Sequence, residues 1–286
     1  MTTAPTSRRG EDGYTLIAAV ASILFFAVIA LGVLALTQRT QVAAEADIAA
    51  ARASAAADAG VALGIRSLLM TDVSGASAID GRPRRVSFDG ATLAIQITDE
   101  RGKVPLNLLD DQQLTALLEF SGLSGDPLAI ARDSFLDWID DDDEPRANGA
   151  EYDYYQPQGI RPRNSGLLTL GELGRVRGFT TPVVTRIAAV ATTDFGNGPF
   201  DTRFALPQAI RIMYPDGDAA VAEIVRTREA EGQTAAFEGV DSAALIGRPM
   251  TILVRASFRS GAAAERRCVV ELTGARVRPY VIRHCR

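Results

Sequence analysis

The stretch "FLDWIDDDDEPRANGAEYDYY" carries the residues best suited to chemistry. Between positions 137 and 153 it places eight carboxylates, with Arg146 as the one cation among them. Carboxylates this close repel unless a cation neutralises them or they spread into water. Hard oxygen donors gathered in a loop favour calcium. Asp140, Asp142, Glu144, Asn148 and Glu151 fall at positions 1, 3, 5, 9 and 12 of a twelve-residue frame, the spacing of an EF-hand. Pro145 takes the sixth position, where that loop needs glycine for its sharp turn. The oxygen set therefore suits calcium while the backbone path must differ. A solvated acidic turn ending the Trp138 helix is the alternative. Trp138, Tyr152, Tyr154 and Tyr155 are expected to peg the loop to the body of the domain.

Other chemistries lack their parts. His284 is the only histidine, and Cys268 and Cys285 are the only cysteines, with no CxxC between them. A zinc site or a Ser/His/Asp triad would have to use a histidine almost at the C-terminus. No enzyme class is indicated. The two cysteines read either as unrelated thiols or, in an oxidising compartment, as a disulfide closing a short C-terminal loop. The formal charge of −5 opposes bulk nucleic-acid binding, which needs clustered cations. "LGRVRGFTTPVVTRIA" looks like a helix-hairpin-helix phosphate grip, but equally like an ordinary pair of helices turning at Gly178. The acidic balance favours the second reading, and no nucleic-acid partner is expected.

These groups must be positioned by the rest of the chain. Residues 14–36 carry no charge over 23 positions, a helix of roughly 34 Å, enough for a bilayer core. A signal-peptide apolar region is shorter, and no small-residue cleavage site follows. The helical pattern continues past Arg39, with Val42, Ala46, Ala49, Ala53 and Ala57 at helical spacing. One uninterrupted helix over residues 14–70 is expected, its first half (14–36) transmembrane and its second (37–70) soluble. A basic leader ending in Gly13, followed by "YTLI" and an apolar helix, resembles the type IV pilin and pseudopilin class. The resemblance implies a cut between Gly13 and Tyr14, leaving residues 1–13 as leader. Pilins generally carry Glu at the fifth mature position, where this chain has Ala18. A carboxylate in lipid costs about 2.5–3.5 kcal/mol unless paired, so a subunit without it suits a special place in a fibre.

Beyond residue 70 a Gly/Pro/Ser-bearing connection leads to "RVSFDGATLAIQITDE", which alternates about Asp89-Gly90 as a hairpin does. "MTILVRASF", "RRCVVELTG" and "RVRPYVIRHC" read as three more strands. Residues 71–100 and 246–286 are thus expected to form one antiparallel sheet packed on the N-terminal helix. Between them lies a helical insert, residues 101–190. It includes a helix starting near Asp110 or Asp111, a second starting at Pro127 with Asp126 as cap, and paired helices across "SGLLTLGELGRVRGF" and "TTPVVTRIAAVAT". Residues 191–245 connect back, with a further helical pair as a candidate.

"GKVPLNLLD", "FLDWIDDDDEPRANGAEYDYY" and "LLTLGELGRVRGF", in that order, resemble the protein K family of type II secretion minor pseudopilins. The family shows G-K-I-N-L-N, where this chain has Val104-Pro105 in place of Ile-Asn. The resemblance runs from the leader to about residue 190 and then weakens. It implies an α+β fold: a long N-terminal helix on a small antiparallel sheet, with a large SAM-like α-helical insert. It also implies calcium in that insert, on Asp140, Asp142, Glu151 and Asp153, with Asp137 as a further candidate ligand. The implied role is non-catalytic. The subunit would cap the pseudopilus with the I- and J-type minor pseudopilins and contact the major pseudopilin. It would be cut and N-methylated by prepilin peptidase, and sit in the inner membrane with its head in the periplasm. Secreted cargo is a further candidate contact. A minor pilin of a type IV pilus, and an unprocessed membrane-anchored calcium-dependent module, are the competing readings.

Overall fold

The computed structural model describes residues 11–70, 79, 81–214, 217, 219, 221–224, 226 and 242–286. Residues 1–10 of the expected leader, most of the connection after residue 70 and much of 215–241 lie outside the described residues. The described chain is α+β and divides into two units, Met1–Ala53 and Ser54–Arg286.

Helix α1 spans Glu11–Leu69 without interruption. Its first part includes a stretch long and apolar enough to cross a membrane, with Leu16, Ile17, Phe25, Phe26 and Leu31 all exposed. Ala-rich composition and the absence of proline let the helix continue past the apolar run.

In the second unit, residues 54–69 bury Ala56, Ala57, Val61, Ile65 and Leu68 against one face of a five-stranded antiparallel sheet. The strands are β1 (Arg84–Phe88), β2 (Ala91–Asp99), β5 (Pro249–Phe258), β6 (Ala263–Leu272) and β7 (Tyr280–Cys285), in the order β1-β2-β5-β6-β7. Strict alternation puts Leu93, Ile95 and Ile97 of β2 beside Ile252 and Val254 of β5 on the helix face. Each such fully buried aliphatic side chain contributes about 1.5–3 kcal/mol. Gly60 and Gly64 allow the close approach: a Cβ on either would lie 2.5 Å from Val254 Cγ1 or 2.9 Å from Ile252 Cγ2. The β1–β2 turn forms at Asp89 (φ 45°) and Gly90 (φ 78°), the left-handed pair that the Asp-Gly dipeptide favours.

Cys268 and Cys285 oppose each other in the β6–β7 ladder and are joined by a disulfide. The bond therefore staples the edge strand that ends the chain. A Cys268→Ser/Cys285→Ser variant is expected to lose about 3 kcal/mol, measured by urea unfolding of the detergent-solubilised chain. A loss below about 1 kcal/mol would show that the ladder alone holds β7.

The helical insert is entered and left through a two-residue parallel pairing of β3 (Val104–Pro105) with β4 (Ala191–Thr192). This pairing ties the ends of the insert side by side. Helices α2 (Asp111–Phe120), α3 (Gly125–Ile139), α4 (Tyr152–Tyr155) and α5 (Thr181–Ala188) build its core, and α6 (Pro207–Met213), from the segment after β4, packs into it through Ala209 and Ile212. Leu117 and Leu118 of α2, Phe135 and Trp138 of α3, Tyr155 of α4, and Ile187 of α5 are buried there. Asp110 caps α2 in a reciprocal box with Gln113. Two sequence expectations change. Helix α3 begins at Gly125 after Ser124, so Asp126 and Pro127 lie inside its first turn. Proline is tolerated there because first-turn N–H groups have no intrahelical partner. "LGELGR" forms a 3₁₀ segment, Leu170–Arg175, rather than an α-helix. Gly171 and Gly174 weaken helix formation, and Glu172 turns back to accept from the backbone of Leu168 and Thr169.

The acidic loop as a candidate metal centre

Helix α3 carries acids to the loop on successive turns. Asp133 and Asp137 stand four residues apart and so share a face, and Asp140 is the C-cap. Asp133 is buried, and its Oδ2 accepts from the backbone N (3.2 Å) and Nδ2 (3.0 Å) of Asn148. Burial raises the Asp133 carboxyl, but the bonds from Asn148 and Arg132 outweigh it and leave it below the ordinary value. Asp137 is fully enclosed, and Arg146 Nη1 donates to its Oδ1 at 2.7 Å. The Arg146 backbone N donates weakly to both Asp137 oxygens at 3.3 Å. The same Nη1 reaches Asp140 Oδ2 at 2.5 Å.

The loop then returns over these carboxylates. A Cβ on Gly149 would sit 1.8 Å from Asp137 Oδ2, so only glycine permits this closure. Gly149→Ala is expected to cost about 1–3 kcal/mol in denaturant unfolding, and an unchanged midpoint would show that the loop yields. From the far side Arg177 donates to the carbonyl of Gly149 at 3.0 Å, while its guanidinium lies 4.8 Å from the Tyr154 ring centre. Its backbone N donates to the Tyr155 hydroxyl at 3.0 Å. One of the three arginines of the helix-hairpin-helix-like segment, Arg177, is thus engaged with the acidic loop.

The return path delivers Glu151 beside Asp140 and Asp142, with one carboxylate oxygen from each lying within 4.8 Å of the others. Glu151 is only 5% exposed, and both its oxygens are buried without a hydrogen-bond partner, as is Asp140 Oδ1. Two orphaned carboxylate oxygens are an expensive arrangement unless a cation completes them. Burial, then the charges of Asp137, Asp140, Asp143 and Asp142, push the Glu151 carboxyl up to about 7. The donor set is all hard oxygen and fits calcium.

Of the five sequence-derived ligand candidates, the structure gathers Asp140, Asp142 and Glu151. Asp137 is turned to Arg146, and Asp153 is exposed outside the group. Asn148 and Glu144, counted in the twelve-residue frame, also stand apart: Asn148 serves Asp133, and the Glu144 backbone N donates to Asp142 Oδ1. Among the four aromatic pegs, Trp138 and Tyr155 are buried and meet edge to face at 5.2 Å, whereas Tyr152 and Tyr154 are largely exposed. Asp133, Gly149 and Arg177 also shape the loop, and of these only Asp133 has a signal in the sequence, its i, i+4 spacing from Asp137. Gly13 and Tyr14 lie in the first turns of α1.

Residues 96–193, which include β3, α2–α5 and the whole acidic loop, match the family model described as type II secretion system (T2SS), protein K. Over these residues the chain is similar to the protein K family. A relative from Escherichia coli (strain K12) that carries the name type II secretion system protein K is 34% identical over 115 residues. That alignment covers 35% of this chain and 35% of the relative, so the match spans about a third of its length. The likeness in fold extends further than the likeness in sequence. A chain in the crystal structure of the GspK-GspI-GspJ complex from the enterotoxigenic Escherichia coli Type 2 Secretion System superposes with a TM-score of 0.52 at 15% identity. The superposition covers 87% of this chain and 98% of that one.

Proposed function

We propose that this chain is a minor pseudopilin of a type II secretion system, acting as a non-catalytic tip subunit in pseudopilus assembly and protein export. The observation that carries the reading is one chain joining a protein K domain to a Gly-ending leader motif and an apolar helix. Prepilin peptidase cuts after Gly13 and methylates Tyr14, and residues 14–36 hold the subunit in the inner membrane with the Ser54–Arg286 unit in the periplasm. I- and J-type minor pseudopilins are its partners at the tip, in keeping with the complex in which the superposed chain was solved, and the major pseudopilin lies below. Ala18 supports the terminal position: a subunit with none above it has no neighbouring amino terminus to neutralise with a carboxylate.

Calcium belongs to the acidic loop in this reading, held by Asp140, Asp142 and Glu151, where it supplies the positive charge that three converging carboxylates lack. Asp153 remains near enough in sequence to join through a water, and Asp137 acts from behind through Arg146. The test of processing is the mass of the mature N-terminus from cells that express the secretion system. An N-methylated Tyr14 is expected; an intact Met1, or a cut elsewhere, refutes the pseudopilin reading.

A further inference from the structure

Arg146 is the one cation in the acidic stretch, and its position relative to the three converging carboxylates is specific. A single nitrogen, Nη1, bridges Asp137 and Asp140. Asp140 therefore divides its oxygens: Oδ2 faces the guanidinium, while Oδ1 is buried and unpartnered. Asp137 is enclosed completely, sealed by Gly149 and by the Arg146 backbone. It cannot turn toward Glu151 without displacing that backbone. The guanidinium thus removes Asp137 from the ligand set and cancels one negative charge beside the site. Glu151 provides the independent sign that a cation is wanted there, since both its oxygens are buried and without partners.

We propose that Arg146 is a resident counter-cation that sets the calcium affinity of the loop, holding Asp137 and Asp140 in place when the ion is absent and opposing the ion when it binds. This inference rests on the calcium reading above and goes beyond it by naming a residue that limits affinity rather than providing it. A fixed positive charge on a shared carboxylate repels an incoming divalent ion, and the partial exposure of Arg146 screens that repulsion without removing it at this short range. The same charge neutralises a buried carboxylate that would otherwise be left unpaired. The loop is therefore held in one path at low calcium, at the expense of tight binding.

Calcium chloride titrated by calorimetry into the full-length, detergent-solubilised protein separates these effects. Arg146→Met is expected to bind calcium at least about fivefold more tightly than wild type. Its thermal midpoint in chelator should fall further than its midpoint in calcium. Asp137→Asn leaves the guanidinium without its buried partner and is expected to bind about fivefold more weakly, a readout available even if Arg146→Met fails to fold. The double variant restores the charge balance and should return to within about threefold of wild type. Arg146→Met binding no tighter than a calcium-binding wild type overturns the inference and leaves the calcium site standing. So does a double variant as tight as Arg146→Met, which would trace the gain to a loosened loop. A folded wild type that takes up no calcium removes the calcium reading itself, and this inference with it.

Discussion

Chelation of calcium is expected to lower the thermal midpoint of the full-length protein by about 5–10 °C relative to saturating calcium. An ion at a hundred times its dissociation constant stabilises by about 2.7 kcal/mol, and a protein of this size shifts by about 2–4 °C per kcal/mol. Glu151 is the residue on which the effect should turn, because both its carboxylate oxygens are buried without partners beside Asp140 and Asp142. Glu151→Gln replaces a charge by an amide that cannot serve calcium in the same way. The variant should keep or exceed the wild-type midpoint in chelator and gain almost nothing from calcium. A calcium increment in Glu151→Gln equal to that of wild type would place the ion elsewhere.

The pH dependence has a definite sign. Glu151 is pushed up to about 7, first by burial and then by the charges of Asp137, Asp140, Asp143 and Asp142. Its folded value lies above its unfolded one, so without calcium the folded protein favours the neutral acid up to about pH 7. The stability it contributes is complete below about pH 4.5 and is lost as pH rises through about 7, on the order of 3 kcal/mol. Calcium needs the carboxylate, so its increment should run the other way. Midpoints measured at about pH 6 and about pH 8, with and without the ion, are expected to show a larger increment at the higher pH. A flat increment would count against Glu151 as a ligand.

Replacement of Arg248 is expected to destabilise the Ser54–Arg286 unit by about 3–5 kcal/mol. Arg248 lies just before β5 and Asp99 ends β2, so their pairing joins these two neighbouring strands at the point where the chain leaves for the insert. Arg248 Nε donates to Asp99 Oδ2 at 2.8 Å, and Nη2 reaches both that oxygen and Asp201 Oδ2, the latter at 2.9 Å. The Asp99 side chain is fully enclosed, and that of Arg248 is only 7% exposed. Burial raises the Asp99 carboxyl despite the opposing charge of Arg248. Burial also acts on Asp201, but the bonds from Arg203 and Arg248 outweigh it and hold that carboxyl at about 2. Arg248→Ala therefore strands a buried carboxylate where the sheet gives way to the insert. Urea unfolding should show the loss, and Asp99→Asn/Arg248→Met should recover part of it, because no charge is then left unpaired. A loss under about 1 kcal/mol from Arg248→Ala would mean that water reaches Asp99 and that the triad is not a buried one.

Much of the fold was legible because its signals are local. The β1–β2 hairpin follows from alternation about Asp89-Gly90, and α1 follows from an unbroken apolar and alanine-rich run. The ligand candidates Asp140, Asp142 and Glu151 were legible for the same reason: they sit within one short frame, so closing the loop suffices to bring them together. Asp137 and Asp153 lie in the same acidic stretch, yet composition cannot say which way each carboxylate turns. Arg146 and Gly149 decide that for Asp137 through a contact only the closed loop creates. Ser124 rather than Asp126 precedes α3, and the "LGELGR" helix tightens to 3₁₀, because the boundary of a short helix depends on what it packs against.

By itself the sequence determined the order and type of the main elements, the apolar length of the N-terminal helix and the all-oxygen donor composition of the acidic loop. Hydrophobic periodicity, turn dipeptides and charge density are all properties of neighbouring residues. The tertiary structure alone decided which acids converge, that Asp133 and Arg177 grip the loop from opposite sides, and that Asp99 and Arg248, 149 positions apart, share one buried charge pair. It also decided that the cysteines are bonded, since β6 and β7 place them opposite one another. Each of these depends on distance in space and on burial, which raise or remove the cost of a charge and are written in no short stretch of the chain.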